Sequence, residues 1–227
     1  MVYCYSTLFI KKFIFSKNYV FLAFTLFVSL GIYYTFVGTW ATKYLTTVTA
    51  MGPIEANSII FFLPLGYLLG SGFAASISQR MFNSKIRTVR AALFIQFLSW
   101  GVIGLVASFA SYFFIGFLLF LAGASVGVIP PLVFSIVKET IPPQVIGLSI
   151  GLTNPAVFFG AFGFQLITGL ILDILKIDNT YSLYSFSVMM AFCVISVLIA
   201  FGVSLLLKDT QHSVRTKVLL PVAFKHK

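Results

Sequence analysis

The sequence predicts an all-α integral membrane protein with six transmembrane helices. Of its 227 residues, 59% are hydrophobic and only 9% are charged, so the chain cannot cover its apolar groups with a polar shell as a soluble domain does. Its apolar residues form uncharged runs long enough to cross a bilayer, which takes about 20 residues in a helix. Its basic residues are also distributed unevenly between the loops, as in multi-pass membrane proteins.

Charged residues mark the ends of the predicted spans, because a charge at the centre of a span costs about 2.5 to 3.5 kcal/mol on insertion scales. The uncharged run 91–137 would be about 70 Å long as one helix, more than twice a hydrocarbon core of about 30 Å. We therefore predict a turn at the polar patch that contains Ser108 and Ser111. The predicted spans are 19–42, 56–79, 91–107, 112–137, 144–172 and 182–207.

The loops predict that both termini are cytoplasmic. Fifteen basic and five acidic residues give a net charge of +10. Lys43 and Lys176 are the basic residues of the loops on one side. The other 13 lie in the N-terminal tail 1–18, the loops 80–90 and 138–143, and the basic C-terminal tail 208–227. Basic loops stay in the cytoplasm, so this asymmetry explains the charge without nucleic-acid binding. We expect a plasma-membrane location, which is the inner membrane if the source is bacterial.

Predicted span one has hydroxyl and aromatic groups at helical spacing, including Ser29, Tyr33 and Trp40. Tyr33 and Tyr34 fall near its centre, where they could hydrogen-bond or stack with a solute. The alternative is that these groups pair with other helices. Gln96 and Trp100 of span three are weaker examples with the same two interpretations.

Predicted span four carries two adjacent prolines in GASVGVIPPL. Pro130 and Pro131 cannot donate to the carbonyls of Val126 and Gly127, so the helix is expected to bend or loosen there. A functional hinge is one interpretation. A static kink that neighbouring helices stabilise is the other, since membrane helices tolerate proline.

Predicted span five has one face of small and amide side chains, which we call the span-five stripe. A helical wheel places these residues within about 40° of one line. They are Gly147, Gly151, Asn154, Phe158, Ala161, Gln165 and Gly169. The opposite side carries bulky apolar residues suited to lipid. We predict that the stripe packs against other helices, or that Asn154 and Gln165 contact a solute.

The spans lack the constellations that enzymes use. No Asp, Glu, Lys, Arg or His lies well inside a predicted span, and we find no Ser/His pair, carboxylate pair or metal-ligand cluster. We therefore predict no catalytic residue, no cofactor and no metal. Cys4 and Cys193 are interpreted as inert thiols. If the chain transports a solute, coupling is carried outside these spans or is not needed.

The chain resembles the C-terminal half of a major facilitator superfamily transporter in four features. These are the six spans, the basic loop after span two, the Gly/Pro-rich fourth span, and KETIPPQVIGLSIGLTNP leading to GLILD. The resemblance covers residues 19–207. It implies one half of that fold, a 3+3 inverted repeat, with spans one and four lining the solute path. Tyr33, Tyr34 and the region 125–131 with Ser125 would then face the solute, and the span-five stripe would face the partner half or the cavity edge.

The same resemblance implies a cytoplasmic gating loop after span two. Gly72 and Arg80 match the family's signature, whereas Ser76 occupies its acidic position and Gln79 its second glycine.

We therefore expect half of an alternating-access transporter for a small solute in the lipid bilayer. A second six-helix half or another copy of the chain would complete it, and a split-gene remnant is a close variant. Gly66 and Gly70, together with the glycines of span five, are candidate positions for the helix contacts that such association needs. The alternative function is a non-transporting membrane scaffold or assembly protein.

Overall fold

Six long helices make up the part of the chain that the computed structural model describes, residues 16–49, 51–141 and 143–207. All six are long and apolar enough to cross a membrane, so the predicted all-α, six-span membrane fold is confirmed. Residues 1–15 and 208–227, which hold most of the two predicted tails, lie outside the described residues. The helices are α1 (Lys17–Val48), α2 (Pro53–Phe82), α3 (Lys85–Val106), α4 (Tyr112–Thr140), α5 (Pro143–Ile174) and α6 (Leu183–Leu205).

Serine side chains begin four of these helices. In each, the hydroxyl oxygen accepts a hydrogen bond from the backbone N–H three residues later, which satisfies one of the free donors of the first turn. The capping serines are Ser16 of α1, Ser84 of α3, Ser111 of α4 and Ser182 of α6. Ser111 caps α4 directly after the turn that follows Val106.

Three helices depart from regular α geometry. A π-helical segment, Phe36–Trp40, interrupts α1, and a second one, Ser78–Phe82, ends α2. The α-helical part of α5 breaks at Asn154, directly before Pro155, which has no N–H to donate to the carbonyl of Gly151.

In α4, by contrast, the helix continues through Pro130 and Pro131. The bend or hinge expected there therefore does not appear as a break in the helix, and it stays a prediction.

The helices pair in the pattern of an inverted repeat. The most extensive packing joins α2 to α4 and α1 to α5, with α3 and α6 packed against α4, α1 and each other. Exchanging α1, α2 and α3 for α4, α5 and α6 leaves this pattern unchanged. Gly70 of α2 and Gly160 of α5 also correspond, because they occupy the same position counted from the start of their helices. At each, a Cβ would overlap a backbone carbonyl of the helix on which it packs. The 3+3 repeat is thus visible in packing although the sequence shows no clear repeat.

Polar bonds tie α3 to its neighbours. Ser29 of α1 donates to Oε1 of Gln96 at 2.7 Å, and both side chains are fully buried. Near the predicted cytoplasmic end, the guanidinium of Arg90 donates to the carbonyls of Ser204 and Leu207 at the end of α6, at 3.0 and 2.8 Å. Lys85 pairs with Glu139 of α4. For Ser29 and Gln96, the interpretation as partners between helices is therefore confirmed.

Candidate solute-facing surface

Three residues of α1 form an exposed polar strip: Tyr34, Gly38 and Thr39, which we call the α1 polar strip. The rest of α1 is largely buried, and α1 and α4 are the two most buried helices of the bundle. The strip is flanked by α2 on one side and α5 on the other, and these two helices are the least buried. A hydrogen bond from Thr42 to Asn57, at 2.7 Å, joins α1 to α2 beyond the strip.

The π segment determines how the strip meets α5. The π segment Phe36–Trp40 has an extra residue in its turn, and the adjacent residues Gly38 and Thr39 within it are both exposed. Gln165 Nε2 donates to Thr39 Oγ1 at 3.0 Å, and a Cβ at position 38 would lie 3.8 Å from that nitrogen. Gln165 is itself exposed, so its amide and the Thr39 hydroxyl form one uncharged hydrogen-bonding pair at the surface.

Tyrosines from α1 and α2 form a cluster beside this pair. The ring of Tyr33 stacks on Tyr67 of α2 with centroids 5.0 Å apart, and it meets Tyr34 edge to face at 5.3 Å. Tyr33 is buried at 6% exposure, whereas Tyr34 is 42% exposed. Of the two predicted tyrosines, Tyr34 therefore reaches the surface and Tyr33 supports it. Tyr67 was not among the predicted site residues, because a single tyrosine in an apolar span gives no periodic signal.

A second polar bond fixes the C-terminal part of α1 on α5. Trp40 Nε1 donates to Thr168 Oγ1 at 3.1 Å, and Thr168 in turn donates to the carbonyl of Phe164 at 2.6 Å. Tyr44 donates to the carbonyl of Ile103 at 3.2 Å, which ties the same part of α1 to α3. Side-chain hydrogen bonds thus hold the C-terminal third of α1 on both α5 and α3.

Helix α5 has three distinct faces. The face that packs inside the chain carries Ser149, Thr153, Val157, Gly160, Phe164, Thr168 and Leu172. The span-five stripe lies about 100° away around the helix, and the bulky apolar face lies on the far side. Within the stripe, a Cβ at Gly147 or Gly151 would meet nothing within 4 Å, and Asn154 and Phe158 are exposed. The first half of the stripe therefore does not pack against the helices that the structure describes, and packing against a partner half stays a prediction.

The remaining predicted residues lie in different surroundings. Ser125 is 4% exposed and donates to the carbonyl of Ala122 in its own helix, so it lies in the packed interior. Pro130 is also buried, whereas Pro131 is exposed. Gly72 and Arg80 are both exposed in the C-terminal part of α2, toward its predicted cytoplasmic end. The structure therefore brings Tyr34 and Gln165 to one surface and leaves Ser125 and Pro130 away from it.

Gly66 and Gly70 also differ from expectation. A Cβ at either position would overlap the backbone of α4 at Phe120 or Ala124. These glycines therefore serve packing inside the chain, and they are not available for association with another molecule.

Solved structures of the xylose transporter XylE from E. coli have the same arrangement of helices. A partially occluded inward-open form matches 85% of this chain and 50% of its own chain, with a TM-score of 0.70 and 18% identity. The proton:xylose symporter XylE of the major facilitator superfamily, bound to 6-bromo-6-deoxy-D-glucose, matches 86% of this chain and 45% of its own, with a TM-score of 0.69 and 18% identity. The chain has the fold of one half of a major facilitator superfamily transporter.

This half-transporter fold confirms the architecture implied by the sequence resemblance. The chain spans about half the length of the xylose transporters that it matches. No family model matches the sequence, and no curated protein sequence matches it. Because the sequence identity to these transporters is low, the likeness is one of fold, and the role of the surface depends on its own residues.

Proposed function

We propose that the chain transports a small solute across the membrane as one half of an alternating-access transporter. The observation that carries this proposal is the α1 polar strip with Gln165. Its hydroxyl, amide and phenol groups are exposed at the surface of the bundle, and they lie between the two least buried helices. Polar groups placed in this way need water, solute or another protein surface.

The fold supports the same function. Structures with this half fold include a proton:xylose symporter, and the exposed groups of the strip are of the kind that bind an uncharged solute through hydrogen bonds. We further propose that both termini are cytoplasmic, in the plasma membrane, and that a second six-helix half or another copy completes the path. Tyr34, Gln165 and Asn154 are the proposed solute contacts, and Gly72 and Arg80 belong to the proposed cytoplasmic gating loop.

Accessibility of Thr39 from the two sides of the membrane tests the transport function without knowledge of the solute. In proteoliposomes of one orientation, Thr39→Cys in a Cys4→Ser chain is treated with a membrane-impermeant maleimide from either side. Alternating access should allow labelling from both sides, in separate experiments. Leu166→Cys is the control of matched depth, because Leu166 follows Gln165 but lies on the bulky face.

Labelling of Thr39→Cys from one side only, or from neither, would contradict alternating access and would favour the non-transporting scaffold. Labelling of Leu166→Cys to the same extent would show that the reagent reaches lipid-facing positions, and Thr39 labelling would then not support a path.

A further inference from the structure

An apolar cleft lies between α1, α5 and α6, and we call it the phenylalanine cleft. It encloses about 180 Å³, and phenylalanine rings from all three helices line it. We propose that this cleft binds one acyl chain of a membrane phospholipid. Such a site is separate from the proposed solute path and does not depend on it.

The cleft is open because α5 brings no side chain to it at Gly163. Helices α5 and α6 pack on each other less extensively than either packs on α1, which leaves a gap between them. A Cβ at Gly163 would have only the ring of Phe27 within 4 Å, at 3.5 Å. A larger side chain at this position would therefore occupy the cleft.

The aromatic rings support one another as a wall. Phe27 stacks with Phe24 at a centroid distance of 6.4 Å and contacts Phe164 at 5.9 Å. Phe164 in turn contacts Phe192 of α6 at 5.5 Å. Because each ring already packs on a neighbouring ring, turning one of them into the cleft would break an aromatic contact.

The lining of the cleft suits hydrocarbon and not water. Its one polar side chain, Ser196, donates its hydroxyl proton to the carbonyl of Phe192 at 2.8 Å. A buried water needs two to four polar partners, and the cleft does not supply them. An engineered apolar cavity of roughly 150 Å³ stays dry and binds benzene, so the cleft has room for a segment of a hydrocarbon chain.

The depth of the cleft selects the acyl chain among the parts of a lipid. Helix α6 runs from Leu183 to Leu205, so its middle is Val194, and Phe192 and Ser196 each lie two residues from it. A helix of 23 residues is about 35 Å long, close to the hydrocarbon core of about 30 Å. The cleft therefore lies near the centre of the bilayer, where acyl chains and not headgroups surround the protein.

The opening of the cleft is continuous with the lipid-facing surface. Ile167 and Ile199 are the exposed residues of its lining, at 42% and 53% exposure, and exposed Leu170 and Ile195 lie one turn further along the two helices. Ile167 and Gly163 lie on the flank of α5 that is turned away from the span-five stripe. An acyl chain can thus enter sideways from the bilayer, on the side of α5 opposite to the surface proposed for the partner half.

Photolabelling tests this site. The chain is reconstituted in phosphatidylcholine vesicles with a small share of a phosphatidylcholine that carries a diazirine near the methyl end of one acyl chain. After irradiation, mass spectrometry of peptides locates the labelled residues. Phe27 and Phe192 are half-buried, whereas Ile195 is 56% exposed near the depth of Phe192. We expect the two phenylalanines to be labelled at least as strongly as Ile195, because a bound chain remains beside them.

Filling the cleft should remove this labelling. Gly163→Leu should lower the labelling of Phe27 and Phe192 several-fold and leave that of Ile195 unchanged. Gly202→Leu is the matched control, because a Cβ there meets nothing within 4 Å and the cleft stays open. Ser196→Phe fills the cleft from α6 and replaces the first variant if that one assembles poorly.

Three results would overturn the proposal. Labelling of the cleft phenylalanines several-fold below that of Ile195 in the unsubstituted chain would mean that no acyl chain is bound. An equal loss in Gly202→Leu, or no loss in either filling variant, would mean that the label does not report the cleft. Protection of Ile195 together with both phenylalanines would mean that protein covers this surface. The maleimide assay at Thr39 reads the transport function independently of all three.

Discussion

Two helix pairs occupy equivalent places in the inverted repeat but are held together differently. Where α2 crosses α4, a Cβ at Gly66, Gly70, Gly123 or Gly127 would overlap backbone of the other helix, so the two backbones are in direct contact. Where α1 crosses α5, such contact is concentrated at Gly31 and Gly160. The rest of that pair depends on side-chain bonds such as Gln165 to Thr39 and Trp40 to Thr168.

This difference in packing indicates which helix pair can change its relative geometry. Close backbone packing admits one geometry, because any shift creates either a clash or a void. Side-chain hydrogen bonds between membrane helices are worth only about 0.6 kcal/mol on average and can be exchanged for bonds to water or solute. We infer that α2 and α4 move as one body, whereas α1 can adjust against α5 at its π segment. The following substitutions test this contrast.

Gly123→Ala should have the largest effect. Its Cβ would overlap the carbonyl of Leu63, which belongs to backbone and cannot turn away. Overpacking of this kind costs about 1 to 3 kcal/mol, so the unfolding temperature in detergent should fall clearly. Gly147→Ala is the matched control, because its Cβ meets nothing within 4 Å and alanine favours a helix over glycine by up to about 1 kcal/mol. An equal loss for the two variants would remove the distinction between packed and free faces.

Gly31→Ala should have a smaller effect than Gly123→Ala. The nearest atom to its Cβ is a ring carbon of Phe164 at 2.7 Å, which can rotate, although the backbone of Gly160 lies at 2.8 Å. We expect a lower unfolding temperature than for the unsubstituted chain but a higher one than for Gly123→Ala, measured under the same conditions. The reverse order would mean that the α1 and α5 pair is the more rigid of the two.

The Trp40 to Thr168 bond should contribute least. A double-mutant cycle of Trp40→Phe and Thr168→Val should give a coupling free energy of about 0.6 kcal/mol in a reversible unfolding assay. The phenylalanine retains a ring and removes the N–H donor, and valine retains the shape of threonine. A coupling free energy several times larger would show that this contact locks α1 to α5, and the proposed adjustment at the π segment would then be wrong.

The sequence predicted the helices well because charges are expensive inside a bilayer. Every predicted span corresponds to one helix, but the charge rule made several spans shorter than their helices. Helix α1 continues past Lys43 to Val48, and α3 begins at Lys85 although its span was predicted from 91. Long basic side chains can extend to the membrane surface while their backbone stays helical, so a charge marks the limit of the apolar core and not the end of the helix.

The site was less predictable because it depends on how helices face one another. Tyr34 and Gln165 were found from residue type and spacing, and both are exposed. Ser125 was assigned from the resemblance and is buried by packing that no pattern within one helix reveals. The wheel identified the span-five stripe, but it could not show whether this chain or another molecule covers it. Gly38 joined the site through a π segment for which the sequence gave no signal.

The α1 and α5 pair also has a consequence for biosynthesis. Thr35 and its contact Ala161 are 126 residues apart in the chain. At about 5 to 20 residues per second, α5 emerges roughly 6 to 25 s after the segment of α1 that it contacts. During that time the glycine face of α1 has lipid, the insertion machinery or a chaperone as its neighbour. The contacts of α1 are thus completed late within these six helices, because they must wait for α5.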